Sequence, residues 1–356
     1  MYIFRGCFLS LKDNSYFCSK LERMMYGIDI KEDELLAMGG GILDMLLIDR
    51  TTGENIIWAT DDYAALGDSY TFHKHITPEL ITGENNNVIQ PRVIKTWKEQ
   101  VGRTKRMAEV FTPSWVCNSM ANLLDKAWFG REEVFNVEDP IHHTWTPTTG
   151  PIQFPNGKTW QDYVRANYLE FTCGEAPFLT SRYDTTTGNP IPLECRIGIV
   201  DRKMRIVCEN TNDDEEWLLW TQAAFKAIYG YEWQGDNLLL ARESMLATFV
   251  DYYQARFEVF PPLETLHFMA YIISWNLWQM DGLKNVIPGS CHEETIVKAG
   301  LFEDEVEHRP CEGCAKKDVN KHNGIYSIIR SWTPSGKINC DDGETGRFVD
   351  IISMQK

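Results

Sequence analysis

Helix-type and strand-type patterns alternate between residues 168 and 257, and this alternation constrains the fold more than any other feature. A short apolar run over 168–173 stops at Gly174, and a second run over 228–233 carries Glu232 at its end. Stretches with helical spacing lie on both sides of the second run. Because strands joined through helices pair in parallel, the pattern predicts a parallel, doubly wound sheet of the α/β class.

The flanking sequence predicts further elements and three units. Residues 112–114, Thr-Pro-Ser, are expected to start an amphipathic helix, since proline is favoured in a first helical turn. We expect a helix to begin within 175–184, directly after Gly174. Also predicted are a helix over 32–38 and strands over 42–48 and 55–59. The units are an N-terminal α/β extension (1–107), a central domain (108–290) and a small C-terminal module (291–356).

Composition excludes several classes of protein. The chain has 356 residues, 43% of them hydrophobic, which suits a globular fold. A net charge of −16 argues against holding nucleic acid by bulk charge, although a local basic patch is compatible with it. We find no apolar run of membrane-spanning length and no secretory signal. Ten cysteines, mostly scattered, favour a reduced, cytoplasmic protein.

Gly174 and Glu232 form the first candidate binding site. In a parallel sheet, ligands bind beyond the carboxyl ends of the strands, where a glycine lets the backbone approach and a carboxylate on the next strand can hold ribose hydroxyls. Taken alone the pair is weakly specific, because the surrounding sequence is not the GxGxxG fingerprint. The alternative interpretation of Glu232 is a solvated strand end.

Three segments, in order, resemble the cofactor-side motifs of S-adenosylmethionine-dependent DNA adenine methyltransferases. They are VFTP (110–113), LEFTCGEAPFL (169–179) and IYGYEWQGDNLLLARESM (228–245). The chain is similar to the restriction endonuclease subunit M group, the modification-subunit-like proteins of restriction systems, through TWQDYVR, SRYDTTTG, WQGDNLLLARE and ISWNLWQMDG. This resemblance covers the chain from about Trp58 onward. It implies a Rossmann-like domain that binds S-adenosylmethionine.

The resemblance also implies roles for individual residues. The matching positions are Phe111, Thr112 and Pro113 beside the methionine carboxylate and methyl end, Phe171, Cys173, Gly174 and Phe178 in the turn around the cofactor, Glu232 on both ribose hydroxyls, Trp233 beside the adenine ring, and Asp281 near the adenine amine. One departure concerns the turn, because the place of the family's second glycine is taken by Ala176.

A second departure concerns catalysis. The family's motif of Asn, Asp or Ser followed by two prolines and an aromatic residue is not found after Asp281. Pro261-Pro262 comes too early and is expected to be a loop between helices. Asn276 is a candidate for the catalytic amide, although its apolar neighbours at helical spacing favour a helix residue. The apolar run at 348–352 resembles the strand that would lead into the catalytic loop.

Near the end of the chain, a Cys-x-x-Cys pair predicts a candidate metal site. Two thiolates from one tight turn, with histidines nearby, can complete a tetrahedral zinc site. The predicted ligands are His308, Cys311, Cys314 and His322, with Cys291 and Cys340 as alternative ligands. The other interpretation is an ordinary turn with two reduced thiols. If a metal binds, we expect structural zinc with all four positions filled.

One basic segment is a candidate DNA-phosphate surface. The segment 90–107 carries one acidic residue against six basic ones: Arg92, Lys95, Lys98, Arg103, Lys105 and Arg106. Basic side chains of this kind position a duplex without reading its sequence. A solvated helix face is the alternative.

The resemblance implies methylation of the exocyclic amine of adenine in double-stranded DNA, within a restriction-modification or phage-defence context. A specificity, catalytic or nuclease subunit is an expected partner, and no membrane partner is expected. The rival hypothesis is a catalytically inactive, methyltransferase-derived subunit that binds DNA or assists assembly. The missing catalytic motif motivates this rival.

Overall fold

The computed structural model describes residues 27–95, 112–298 and 305–354, which form a mixed α/β structure. Its elements in chain order are α1 (Glu32–Met38), α2 (Ile42–Leu47), α3 (Pro78–Ile81), α4 (Ser114–Phe129), β1 (Asn136–Asp139), β2 (Thr144–Pro147), α5 (Trp160–Arg165), β3 (Tyr168–Phe171), α6 (Ile199–Asn210), α7 (Asp214–Lys226), β4 (Ile228–Glu232), α8 (Gly235–Phe257), α9 (Leu263–Asn276), β5 (Leu277–Gln279), β6 (Glu294–Lys298), β7 (Glu305–Arg309), α10 (Glu312–Lys316), β8 (Ile328–Ser331), β9 (Glu344–Arg347) and α11 (Phe348–Met354). Among these residues, no helix is both long and apolar enough to cross a membrane.

The central sheet consists of β3, β4 and β5, with β4 in the middle. Both pairings are parallel, with Phe171 opposite Tyr231 and Glu232 opposite Gln279. The sequence predicts the pairing of β3 with β4, whereas β5 was not predicted. Helices α6 and α7 connect β3 to β4, and α8 and α9 connect β4 to β5. Strand β4 is buried along its whole length. The carboxyl ends of all three strands therefore meet at one edge.

Local sequence explains why α7 and β4 follow each other so closely. The Asp213 carboxylate accepts a hydrogen bond of 2.8 Å from the Glu216 N–H, and three acidic residues occupy the first turn of α7. Negative charge at this end and Lys226 in the last turn both complement the helix dipole. Ile228 begins β4 only two residues after the helix ends. The predicted helix and strand are thus confirmed in this segment.

One hydrophobic core joins residues from the predicted N-terminal extension to the central helices. It includes Leu35 and Leu46 from the first part of the chain and Phe249 and Ile273 from α8 and α9. Trp58 is fully buried in the same core. The predicted boundary at 107/108 lies outside the described residues, and no separate core marks the extension among the residues that are described.

The predicted strand over 42–48 is wrong, because this segment forms helix α2. Its buried side chains are Ile42, Leu43, Leu46 and Leu47, which is the i, i+1, i+4, i+5 spacing of a helix face. A short apolar run does not distinguish a buried helix from a strand. The segment predicted as a strand over 55–59 makes only isolated bridges, from Asn55 to Ile48 and from Ile57 to His75.

No α-helix follows Gly174 directly, contrary to the prediction. The described residues continue as turns, one isolated bridge and one short 3-10 helix (Leu193–Cys195) until α6 begins at Ile199. Thr172, Gly174 and Ala176 all have φ near +60°. This left-handed conformation is incompatible with a continuous α-helix. Pro177 follows at once. The backbone therefore forms a long loop after the end of β3.

The carboxyl-terminal apolar run is a helix and not the predicted strand. Helix α11 begins at Phe348, directly after the β8–β9 hairpin. Phe348 is buried against Tyr231 and Trp278, on β4 and β5. A helix buries the residues on one of its faces. The apolar run can therefore pack against the sheet without forming a strand.

Two buried carboxyl groups give the fold a predicted pH dependence. Glu32 and Glu243 are almost fully buried, and within the described residues three of their four carboxyl oxygens have no hydrogen-bond partner. Burial raises the pKa of Glu32 from 4.5 to about 8, and burial together with the Glu32 charge raises that of Glu243 well above its usual value. The folded state thus keeps protons that the unfolded chain releases, so stability falls as pH rises from 4.5 to about 8.

Between pH 5 and pH 8, the loss in the free energy of unfolding should be about 1 to 3 kcal/mol smaller in Glu243→Gln than in the wild type, because the amide does not ionise. Urea unfolding at the two pH values measures it. Glu84→Gln, at an exposed position, is the control and should follow the wild type. Equal pH dependence in wild type and Glu243→Gln would contradict the prediction.

Candidate functional site

A sharp turn after β3 forms one wall of the candidate site. The Cys173 N–H donates to the Tyr231 carbonyl at 2.8 Å, which extends the sheet by one bond beyond β3. Gly174 then adopts φ +55°, and a Cβ atom built there would have no neighbour within 4 Å. The turn therefore leaves open space beside the backbone. Ala176 also has a positive φ of 61°.

Glu232 contacts this turn directly. Its Oε2 accepts a hydrogen bond of 2.9 Å from the Gly174 N–H, and its Oε1 accepts one of 3.3 Å from the Gln234 N–H. Burial raises the pKa of Glu232, and these backbone hydrogen bonds oppose the rise. The pair predicted from sequence, Gly174 and Glu232, is therefore in contact across the strand ends.

A cavity of about 670 Å³ lies beside the turn. This volume includes space that is open to solvent. Three predicted cofactor residues line it, namely Thr112, Cys173 and Gly174. Thr112 is held there because its carbonyl accepts a hydrogen bond of 3.0 Å from the Thr185 hydroxyl. Cavities of about 610 and 1330 Å³ lie elsewhere and contain none of the predicted cofactor residues.

The cavity also contains Glu170, which was not predicted as a site residue. Its Oε2 is buried and, within the described residues, has no hydrogen-bond partner. Burial, and next the charge of Glu232, raise the pKa of Glu170 well above its usual value. The sequence does carry a signal that could have identified Glu170, because it is a charged residue inside an otherwise apolar strand. An unsatisfied buried carboxyl group in a cavity is a candidate for binding a ligand's positive or hydrogen-bonding group.

Glu232, Trp233 and Asp281 lie outside the cavity lining, although Glu232 contacts Gly174, which lines it. The Trp233 indole N–H donates to the Ala59 carbonyl at 2.9 Å. Asp281 follows β5, and its Oδ1 accepts a hydrogen bond of 3.0 Å from the Leu283 N–H. The backbone bond from the Met280 N–H to the Glu232 carbonyl, 3.0 Å, keeps the two strand ends together.

The remaining predicted cofactor residues are dispersed. Pro113 precedes the first residue of α4, as its sequence predicts. Phe171 is 67% exposed at the end of β3. Its ring packs edge-on against that of Tyr231, with the ring centroids 5.9 Å apart. Phe178 packs against the main core. Phe111 lies outside the described residues.

Asn276, the candidate catalytic amide, is a buried structural residue. Its Nδ2 donates to the carbonyl oxygens of Phe225, Lys226 and Ile228 at 2.8–3.0 Å. Its Oδ1 accepts a hydrogen bond of 2.6 Å from the Trp332 indole. The amide is fully used in joining α9 to the start of β4. Pro261 and Pro262 form the connection between α8 and α9, as expected for a loop.

Two of the six candidate DNA-phosphate residues are described, and their placement does not suit that role. Arg92 is 7% exposed and lines the cavity, where its backbone N–H donates to the Glu175 carboxylate at 2.8 Å. The Lys95 side chain is 8% exposed, and its Nζ lies 3.9 Å from Asp236 Oδ2. Phosphate contacts need accessible charge, so this part of the prediction needs correction. The others, Lys98, Arg103, Lys105 and Arg106, lie outside the described residues.

The candidate metal site contains three of the four predicted ligands, Cys311, Cys314 and His322, together with the predicted alternative Cys291. The ligand atoms of Cys291, Cys311, Cys314 and His322 all lie within 4.8 Å of one another. His308, which was predicted, is instead exposed on β7, with its Nδ1 3.3 Å from the Thr295 hydroxyl. Cys291, one of the two alternatives, takes its place. The other alternative, Cys340, lies elsewhere, where its carbonyl accepts from Lys226 Nζ.

Comparisons of this chain with protein-family models, with curated proteins and with solved structures give no match.

Proposed function

We propose that the chain binds S-adenosylmethionine in the cavity beside Gly174 and belongs, by architecture, to the Rossmann-like DNA adenine methyltransferases. One observation carries the proposal. Thr112 and the Gly174 turn line the cavity, and Glu232 contacts that turn. Three separate segments that resemble cofactor motifs thus lie together at the carboxyl edge of one parallel sheet. This edge is where α/β sheets bind nucleotides and related ligands.

The chemistry of the cavity fits this cofactor. S-adenosylmethionine carries an ammonium, a carboxylate and a ribose, and it supplies a methyl group on a positively charged sulfur. Glu170 offers a buried carboxyl oxygen without a protein partner among the described residues. A ligand ammonium there would favour the ionised form of Glu170 and so lower its raised pKa. The space beside Gly174 lets the backbone approach the ligand.

Glu232 is suited to hold ribose hydroxyls. Each carboxylate oxygen has capacity for about two hydrogen bonds, so acceptance from Gly174 and Gln234 leaves further lone pairs. The same backbone bonds fix the orientation of the carboxylate before a ligand arrives. Pre-orientation of this kind lowers the entropic cost of binding.

Exposed apolar side chains at the same edge support a base-binding role. Phe171 is 67% exposed at the end of β3, and Leu283 is 87% exposed in the turn after β5. Enzymes that modify a base flip it out of the duplex and stack it against aromatic or apolar side chains. With DNA as the substrate, a cytoplasmic location and a specificity, catalytic or nuclease subunit as partner belong to the same proposal.

A second candidate is a methyltransferase-derived subunit without catalytic activity. Its support is specific: Asn276 uses its whole amide inside the fold, and Pro261-Pro262 only connects two helices. The described residues thus leave the catalytic amide without an assignment. In this case the chain would still bind the cofactor, but it would serve as a DNA-binding or assembly subunit and would not transfer the methyl group.

We expect the protein to transfer labelled methyl groups from S-adenosylmethionine to unmodified DNA, and Glu232→Ala to reduce the rate about 10- to 100-fold, since hydrogen bonds to a charged group contribute about 1.5 to 3 kcal/mol. Glu84→Ala, at an exposed position, is the matched control and should retain the wild-type rate. Cofactor binding without any transfer, even with partner proteins present, would favour the second candidate. Equal rates in Glu232→Ala and wild type would contradict the assigned site.

A further inference from the structure

Three thiols converge on a single imidazole nitrogen in the C-terminal module. The Sγ atoms of Cys291, Cys311 and Cys314 lie 3.5, 3.6 and 3.6 Å from Nδ1 of His322. In a tetrahedral zinc site with Zn–S of about 2.3 Å and Zn–N of about 2.0–2.1 Å, sulfur and nitrogen ligands are about 3.6 Å apart. The observed spacing is therefore that of zinc ligands.

Hydrogen bonding alone does not account for this arrangement. A neutral imidazole Nδ1 either donates one hydrogen or accepts one hydrogen bond, so it satisfies one thiol and not three. A disulfide would join only two of the sulfur atoms. A cation shared by all four ligand atoms accounts for the equal distances. The backbone N–H of Asn323, 3.3 Å from Cys311 Sγ, adds a donor that favours the thiolate form.

Two glycines allow the ligand residues to approach so closely. A Cβ atom at Gly313 would lie 2.6 Å from the His322 backbone nitrogen and 2.7 Å from its ring. A Cβ atom at Gly324 would lie 3.1 Å from the Cys291 sulfur. Gly313 is one of the two residues between the cysteines of the Cys-x-x-Cys pair. Glycine at both positions therefore allows the ligand residues to pack closely together.

The cluster joins the C-terminal module to the turn that carries Asp281. Val286 forms isolated bridges with both Asp281 and Tyr326. The Ile287 N–H donates to the Ile325 carbonyl at 2.8 Å, a few residues before Cys291 on one side and after His322 on the other. Cross-linking these two segments at Cys291 and His322 would therefore fix the position of the Asp281 turn.

We propose that Cys291, Cys311, Cys314 and His322 bind one zinc ion in a closed, structural site that fastens this module to the carboxyl edge of the sheet. Four protein ligands fill a tetrahedral shell and leave no position for a reacting water. Zinc replaces the protons of the three thiols, so its affinity rises with pH. The inference does not depend on the proposed methyltransferase function.

Elemental analysis of the full chain, purified without chelator, tests the site. We expect about one zinc per chain in the wild type, and zinc affinity at least about tenfold weaker in Cys291→Ser in competition with a chromophoric chelator. Cys340→Ser and His308→Ala are the matched controls and should keep wild-type zinc. These two controls distinguish the ligand set seen in the structure from the set predicted by sequence spacing alone.

A second measurement does not require a variant to fold. Replacement of zinc by Co²⁺ in the wild type should give the visible absorption of tetrahedral, thiolate-bound cobalt. Less than about 0.1 zinc per chain after zinc loading, with no cobalt spectrum, would overturn the proposal. So would loss of zinc in His308→Ala combined with retention in Cys291→Ser.

Discussion

Replacement of Gly174 by tryptophan is expected to abolish S-adenosylmethionine binding while the protein remains folded. A Cβ atom at this position meets no neighbour within 4 Å, so the indole can enter the cavity of about 670 Å³ instead of colliding with the core. The positive φ of 55° costs a residue with a side chain about 1–2 kcal/mol. That cost is small against the loss of the binding space.

Gly157→Trp is the matched control for this substitution. Gly157 has a φ of +80°, and it also has open space around a Cβ atom, but it lies in a different part of the chain from the cavity lining. Isothermal calorimetry should give an affinity at least about 100-fold weaker for Gly174→Trp and an unchanged one for Gly157→Trp. Wild-type affinity in Gly174→Trp would show that the ligand site lies elsewhere.

Replacement of Arg242 by methionine is expected to lower the free energy of unfolding by about 3 to 5 kcal/mol. Arg242 is fully buried, and its guanidinium donates to the carbonyl oxygens of Leu46, Ile48, Ser274 and Leu277. Burial lowers the pKa of Arg242 to about 9, and the charge of Asp49 opposes this shift. Methionine would fill much of the volume and leave four buried acceptors without a donor.

Urea unfolding measures this effect, with Arg347→Met as control. Arg347 is about half exposed and pairs with Asp350 at the surface, so its replacement should change stability by less than about 0.5 kcal/mol. A loss below about 1 kcal/mol in Arg242→Met would mean that other donors or water satisfy the four carbonyl groups. Arg242 would then not join α2 and α9 to the sheet as described.

Periodicity and capping made much of the central fold predictable. The helices over Glu32–Met38 and Ser114–Phe129 and the strands at Tyr168 and Ile228 follow from apolar spacing and from residues such as Pro113 and Asp213 at helix starts. The error at 42–48 has a physical reason. A six-residue helix buried on one side has the same composition as a buried strand, and only its packing partners decide between them.

The candidate site was predictable only where the chain carries its own signal. Gly174 and Glu232 stand at the ends of recognisable strands, and their contact follows from parallel pairing. Cys291 could not be preferred to His308 from spacing, because the fold brings it to the cluster from 20 residues before Cys311. The burial of Arg92 and Lys95 likewise could not be predicted, since a basic run has the same sequence whether it faces solvent or the protein interior.

Calorimetric titration of the folded wild-type chain with S-adenosylmethionine measures whether the cavity beside Gly174 binds the cofactor. We expect one site per chain with a dissociation constant in the micromolar range, about −8 kcal/mol. An absence of binding heat at several temperatures, from protein whose circular dichroism and cooperative unfolding show that it is folded, would contradict the account. The turn at Gly174 and its contact with Glu232 would then be features of the fold without a cofactor.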